Sequence, residues 1–251
     1  MRTLFITLFF LFVVLAVIAS PERSSMNPLN TSRYFPDPKV AAFVDDVQRG
    51  DAERVSDALK DGINPNATGK DGFQPIHFVF SAKTAKVARI LLAAGADPNA
   101  RIANKNTPLH FAVQSSNPDF TDVFLEYGAD PNAKGESDKS VLINALASPQ
   151  SGTILRMLTK AGVDINHVWG GFSPLQAAIV ALQLESAVTL LELGADPTVR
   201  SSQKENAAEL FCRLLARREP TQMNRKNMVR IGDGINAKLP ISCGAKLMEF
   251  R

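Results

Sequence analysis

Short groups of apolar residues recur along the chain at helical spacing, separated by polar stretches. The clearest groups share an i, i+3, i+4 pattern and include Val87, Ile90 and Leu91, then Phe120, Val123 and Phe124. Residues at these offsets lie on one face of an α-helix. Each predicted helix is too short to bury its apolar face alone, so the pattern predicts helices that stack on their neighbours.

A continuous apolar run occupies Leu4 to Ala19 and is interrupted only by Thr7. Its length corresponds to about 24 Å of helix, which is short for a hydrocarbon core of about 30 Å. We therefore expect residues 1–20 to form an N-terminal apolar helix, either a cleaved signal peptide or a single membrane anchor. Arg2 favours a cytoplasmic N-terminus, so the rest of the chain should face outward, which in a bacterium means the periplasm. Residues 21–38 are rich in Ser, Pro and Asn and predict a flexible linker.

A loop motif repeats at a nearly constant interval. Gly95-Ala96-Asp97-Pro98-Asn99-Ala100 recurs as Gly128-Ala129-Asp130-Pro131-Asn132-Ala133, and related copies begin at Gly62, Gly162 and Gly194. The five glycines are spaced by 33, 33, 34 and 32 residues. A glycine that follows each second helix suits the left-handed residue at which many helices end.

A second motif keeps the same register. Thr107-Pro108-Leu109-His110 has near matches that begin at Gln74 and Ser173, whereas the copy at Ser140 lacks both Pro and His. Both motifs together resemble the ankyrin repeat. The resemblance implies an all-α ankyrin-repeat solenoid of about five repeats over residues 39–200, with residues 201–251 as a divergent C-terminal capping repeat.

The capping segment carries three signals. Residues 206–218 predict an amphipathic helix, and Gly232-Asp233-Gly234-Ile235-Asn236-Ala237 echoes the loop motif. Cys212 and Cys243 are the two cysteines of the chain. In an oxidising compartment they are expected to form a disulfide, and the alternative is two separate thiols.

Charge and histidines limit the possible chemistry. The net charge is +3, but the segment from Arg200 onward carries eleven Lys or Arg and five Asp or Glu. This basic end lacks a nucleic-acid-binding motif, so no nucleic-acid partner is expected. His77 and His110 fall on the histidine position of the repeat, where the resemblance implies a structural hydrogen-bonding role. No metal site and no cofactor is expected, and the sequence offers no catalytic motif, so we expect a binding protein and not an enzyme.

The resemblance also implies where a partner binds. Ankyrin arrays bind other proteins through the tips of the loops between repeats and the exposed end of each first helix. On this sequence the candidate residues are Lys70, Asp71, Phe73, Asn104, Asn106, Gln114, Glu136, Ser137, Trp169 and Phe172. Trp169 is the single Trp of the chain and the expected chief anchor, because Trp is enriched among interface anchors. The alternative is that Trp169 packs onto the neighbouring repeat.

Two functions follow as hypotheses. Exported bacterial ankyrin proteins of this size look like immunity partners that neutralise a protein toxin delivered by type VI secretion. Others look like scaffolds or accessory factors of a periplasmic enzyme, for example in oxidative-stress defence. The first is the preferred interpretation, and both require a protein partner.

Overall fold

The computed structural model describes residues 31–81, 85–216, 222–238, 240 and 243. Within these ranges the regular structure is helical and no β-strand is present, apart from two isolated bridges. The α-helices, numbered in chain order, are α1 Pro38–Arg49, α2 Ala52–Lys60, α3 Lys86–Ala93, α4 Pro108–Ala112, α5 Asp119–Glu126, α6 Val141–Ala145, α7 Ser151–Lys160, α8 Pro174–Val180, α9 Leu184–Glu192, α10 Ala207–Leu215 and α11 Gln222–Asn236. Short 3-10 helices span Thr31–Arg33, Lys70–Gly72, Pro75–Ser81 and Glu136–Asp138.

The helix starts follow from local sequence. Ser173 precedes α8, and its Oγ accepts a hydrogen bond from the Gln176 N–H at 3.3 Å, while Gln176 Oε1 accepts from the Ser173 N–H at 2.9 Å. This reciprocal pairing satisfies two N–H groups that a helix start leaves open. Pro174 occupies the first helical position, where its missing N–H costs nothing. Asp37 caps α1 through its side chain, and Pro38 follows it at the first helical position.

The helices lie in pairs, with a first or inner helix followed by a second or outer helix. The pairs are α1 with α2, Pro75–Ser81 with α3, α4 with α5, α6 with α7, α8 with α9, and α10 with α11. The core lies between the two rows and includes Leu91, Leu109, Phe124, Leu142, Leu158 and Leu175, each at most 1% exposed. Burying one such side chain contributes about 1.5–3 kcal/mol, and this stacking stabilises helices as short as five residues.

The outer helices alternate in charge along the stack. The charges of α3 and α7 are all basic, whereas those of α5 and α9 are all acidic. The Arg89 guanidinium of α3 lies 2.6 Å from the Glu126 carboxylate of α5. Glu192 of α9 lies 2.9 Å from Arg156 of α7 and 2.5 Å from Arg230 of α11. These pairs are exposed and contribute little stability each, but they match each outer helix to its neighbours.

Residues 31–37, which the sequence assigned to the linker, pack onto the first helix pair. The Thr31 hydroxyl lies 3.1 Å from the Ala41 carbonyl and 2.7 Å from Asp45 Oδ1, and Phe35 is 2% exposed. The predicted N-terminal apolar helix and linker residues 21–30 lie outside the described residues. No helix of the described ranges is both long and apolar enough to span a bilayer.

The C-terminal segment covers the outer helix α9. Residues 232–236, which echo the loop motif in sequence, lie instead within α11. The helix is favoured because Met228, Ile231 and Ile235 share one face and are buried. A Cβ added at Gly234 would lie 3.1 Å from Leu191 Cδ1, so this glycine allows α11 to approach α9 closely.

Cys212 and Cys243 form a disulfide, as the sequence predicted, with their Cα atoms 5.4 Å apart. The bond joins α10 to the tail that follows α11. It therefore encloses the helix that covers α9.

Candidate protein-binding surface

Five loops connect successive helix pairs and lie side by side. We call their tips, residues 69–73, 101–106, 134–139, 167–172 and 200–205, the hairpin row. An asparagine ladder fixes the base of these loops. Asn99 Nδ2 donates to the Gly128 carbonyl at 3.0 Å, and Asn99 Oδ1 accepts from the Asp130 N–H at 2.8 Å. Asn66 and Asn132 make the same two bonds to the following loops.

Buried imidazoles tie the inner helices to the hairpins. His77 Nε2 lies 3.2 Å from the Ala100 carbonyl, and His110 Nε2 lies 3.2 Å from the Lys139 carbonyl. Gln176 takes the equivalent position in the fifth pair, where its Nε2 donates to the Glu205 carbonyl at 2.8 Å. Burial lowers the pKa of His77 and of His110 to about 4, so both rings are neutral near neutral pH. The structural role predicted for both histidines is confirmed.

The first tip divides the predicted residues into two kinds. Lys70 and Asp71 are exposed. Phe73 is half-buried, and its ring centroid lies 5.1 Å from that of Tyr34 and 5.6 Å from that of Phe78. Phe73 therefore packs onto the stack and does not project from it, because the segment before α1 supplies an aromatic partner that the loop sequence does not reveal.

The second and third tips support each other. Asn104 Oδ1 accepts from the Asn106 N–H at 3.1 Å, and Asn106 Oδ1 accepts from the Glu136 N–H at 3.1 Å. Both asparagines therefore shape the loops and leave only part of their surface to a partner. Glu136 and Ser137 are exposed at the third tip.

In the turn that follows the neighbouring inner helix α4, Gln114 is also exposed. Its Nε2 donates to the His110 carbonyl at 2.9 Å.

The fourth tip is a tight turn around two glycines. Trp169 and Phe172 exchange backbone hydrogen bonds of 2.9 and 3.0 Å, and Gly170 and Gly171 between them have φ of 57° and 85°. Positive φ at both central residues is required by this type of two-residue turn, and glycine adopts it without strain.

Trp169 packs along the hairpin row and does not project from it. Its Nε1 donates to the Ser137 carbonyl at 2.9 Å, and Lys139 Nζ lies 5.8 Å from the ring centroid. The indole is half-buried, so part of it remains open to a partner. Its neighbour Val168, which the sequence analysis did not select, is 43% exposed. Among the residues that the structure describes, it is the large apolar side chain that stands exposed. Its place beside the glycine turn was the signal that could have identified it.

The hairpin row is basic. It holds seven Lys or Arg and four Asp or Glu. One of the four acids, Glu205, pairs with Arg213 of α10 at 2.8 Å. The surface therefore presents positive charge beside a half-exposed aromatic residue.

Comparison with known proteins agrees with the geometry. Residues 43–135 match the family model of ankyrin repeats in three copies. The chain is similar to the ankyrin repeat domain of Bcl-3, a member of the IkappaB protein family, with a TM-score of 0.60 and 25% identity over 69% of this chain and 76% of that chain. It is also similar in fold to an ankyrin repeat domain from Acinetobacter baumannii AYE, with a TM-score of 0.63 and 22% identity over 77% of this chain and 97% of that chain. No curated protein sequence matches.

Proposed function

We propose that this chain, which carries ankyrin repeats, is a protein-binding module whose partner contacts the hairpin row. The observation that supports this most is that the hairpins are held by one set of side chains, whereas a different set is exposed at their tips. The repeated Asn, His and Gln side chains hold the hairpins to one another. The residues that differ between tips, such as Lys70, Glu136 and Val168, are exposed. A rigid scaffold that presents variable tips is suited to recognition.

A substitution at the fourth tip tests this function. Val168→Glu places a charge beside Trp169 without removing a buried contact, and we expect affinity for the partner to fall about tenfold or more. Thr153→Glu on the outer helix α7 is the matched control, since it also replaces an exposed neutral residue by a carboxylate. Equal affinity of the two variants, measured by calorimetry, would exclude the hairpin row as the binding surface.

We further propose that the module acts in the periplasm, anchored in the inner membrane or released after signal cleavage. The apolar run from Leu4 to Ala19 and the Cys212–Cys243 disulfide support an exported, oxidising location. A reporter enzyme that works only in the periplasm should be active when it is fused after Arg251, and a reporter that works only in the cytoplasm should be inactive there. A chain that begins after residue 20 is the control and should hold the reporter in the cytoplasm. Cytoplasmic reporter activity from the full chain would contradict the proposal.

The specific role we propose is neutralisation of a protein toxin. It is supported by the likeness of exported bacterial ankyrin proteins of this size to immunity partners and by the exposed tips of the hairpin row. If a neighbouring gene encodes a toxin, co-expression of this chain with that toxin should restore survival of the cells, and the Val168→Glu variant should protect them less. If deletion of the gene instead lowers the activity of an envelope enzyme and leaves the survival of toxin-treated cells unchanged, the scaffold or accessory role is correct.

A further inference from the structure

Equivalent positions of three neighbouring inner helices form a second surface beside the hairpin row. Helices α4, α6 and α8 follow one another in the stack. Three rows of residues recur at intervals of 33 on these helices and on the turns that directly follow them. The rows are Phe111, Asn144 and Ala177, then Gln114, Ala147 and Val180, then Ser115, Ser148 and Ala181. We call these nine residues the inner face. Gln114 and Ala147 are exposed, Asn144 and Ser148 are buried, and the other five are half-buried.

The inner face lies in segments without a single charged residue. Residues 108–118, 141–155 and 173–184 contain no Asp, Glu, Lys or Arg. Most residues of these segments are buried, but the exposed ones are uncharged as well, and they are Gln114, Ser116, Ala147, Pro149, Gln150 and Thr153. The one histidine of the segments, His110, is buried and neutral because burial lowers its pKa to about 4.

Burial alone does not explain this lack of charge. The outer helices of the same pairs hold Asp122, Glu126, Arg156 and Lys160. Solvated helix faces normally carry such residues, whereas the centres of protein interfaces are depleted of them. The inner face therefore has the composition of an interface centre.

The charge that the inner face lacks is concentrated along one edge. The hairpin row borders the inner helices, since His110 of α4 contacts the Lys139 carbonyl directly. Lys105 and Lys134 are exposed on this edge, within a row of seven basic and four acidic residues. The opposite edge, at the turns that lead from inner to outer helices, is uncharged at Ser116, Pro149 and Leu182.

We propose that the inner face docks a single segment of the partner that has an uncharged, largely apolar centre and acidic residues along the edge facing the hairpin row. This inference rests on the proposed protein-binding function and specifies the partner's chemistry. Helices pack about 8–10 Å apart, so the three inner helices span roughly 25 Å. A segment of about eight extended residues crosses that distance.

A random library of 16-residue peptides displayed on phage, selected on the full chain, tests the proposal whatever the natural partner is. The enriched peptides should share an uncharged stretch of about eight residues and an excess of Asp and Glu beside it. Their affinities are then measured by fluorescence anisotropy as synthetic peptides.

Three variants locate the binding site. Ala147→Glu places an unpaired charge in the centre of the inner face and should weaken binding about tenfold. Lys105→Glu reverses one charge of the edge and should weaken binding about threefold, with a larger effect at low salt. Thr153→Glu lies on α7 of the same pair and is exposed on the outer side, so it should leave affinity unchanged.

The outcomes separate this inference from the proposed function. Peptides rich in Lys and Arg, or peptides unaffected by Ala147→Glu, would overturn the inference. If such peptides lose affinity in Val168→Glu instead, the hairpin row still binds protein and only the inner face is excluded. If the selection enriches no peptide, the inference fails, whereas the proposed function is still decided by the effect of Val168→Glu on binding of the partner.

Discussion

The two buried histidines predict a specific loss of stability in mild acid. Each ring has a folded-state pKa of about 4, against an ordinary value of 6.5. Below pH 6.5 each histidine is protonated in the unfolded chain but stays neutral in the folded one. Its contribution to the free energy of unfolding is therefore fully present above pH 6.5 and is lost as the pH falls toward 4. One pKa unit corresponds to about 1.4 kcal/mol. Between pH 7.5 and 5 the free energy of unfolding should therefore fall by about 2 kcal/mol for each histidine and by about 4 kcal/mol for both together.

The chain itself supplies the control for this prediction. Gln176 makes the same bridge without a titratable group, donating from Nε2 to the Glu205 carbonyl and accepting at Oε1 from the Ser173 N–H. The double variant His77→Gln, His110→Gln should therefore retain the fold and lose about 4 kcal/mol of the pH dependence. Conversely, Gln176→His should add about 2 kcal/mol to it.

Urea denaturation at a series of pH values from 7.5 to 5 measures these differences. Carboxylates affect the wild type and the variants alike over this range, so the comparison isolates the imidazoles. If the free energy of unfolding of the double variant changes with pH as steeply as that of the wild type, the buried neutral histidines are not the cause and the reasoning is refuted.

Three further predictions follow from other contacts. Trp169→Ala should lower the free energy of unfolding by about 2 kcal/mol, because the half-buried indole bridges two hairpins, and Trp169→Phe should recover part of that loss by restoring a ring. An unchanged melting temperature for Trp169→Ala would show that the indole is free to anchor a partner, as its sequence position predicts. Asn99→Ala should lower the free energy of unfolding, measured by thermal denaturation, by about 2 kcal/mol. Asn99→Asp keeps the acceptor but loses the donor, so it should lose about half as much. Equal losses for the two variants would argue against two independent hydrogen bonds. Replacing Cys212 and Cys243 by Ser should lower the free energy of unfolding by about 3–4 kcal/mol, since the disulfide closes a sequence separation of 31 residues. Identical denaturation of the wild type with and without reductant would contradict this.

The sequence predicted the features that depend on local chemistry. The caps at Asp37 and Ser173 could be predicted because a capping side chain and Pro at the first helical position act within one turn. The cysteines could be paired because the chain contains only two.

The orientation of the tip aromatics could not be predicted, because it depends on segments distant in sequence. Phe73 packs on Tyr34, and Trp169 is held by Ser137 from the preceding hairpin. The loop-like motif at 232–236 became helix for a similar reason, since Ile231 and Ile235 bury themselves against the preceding pair and outweigh the two glycines of the motif.

The alternating charge of the outer helices makes the repeats non-interchangeable. Removing the pair α4 and α5 would place basic α3 beside basic α7, with Arg89 facing Arg156 and Lys160 where Glu126 had been. Removing two successive pairs would instead bring α3 beside acidic α9 and preserve the complementarity. This chain should thus tolerate loss or duplication of repeats in even numbers better than in odd numbers. Its architecture would then change over evolution in units of two repeats, about 66 residues at a time.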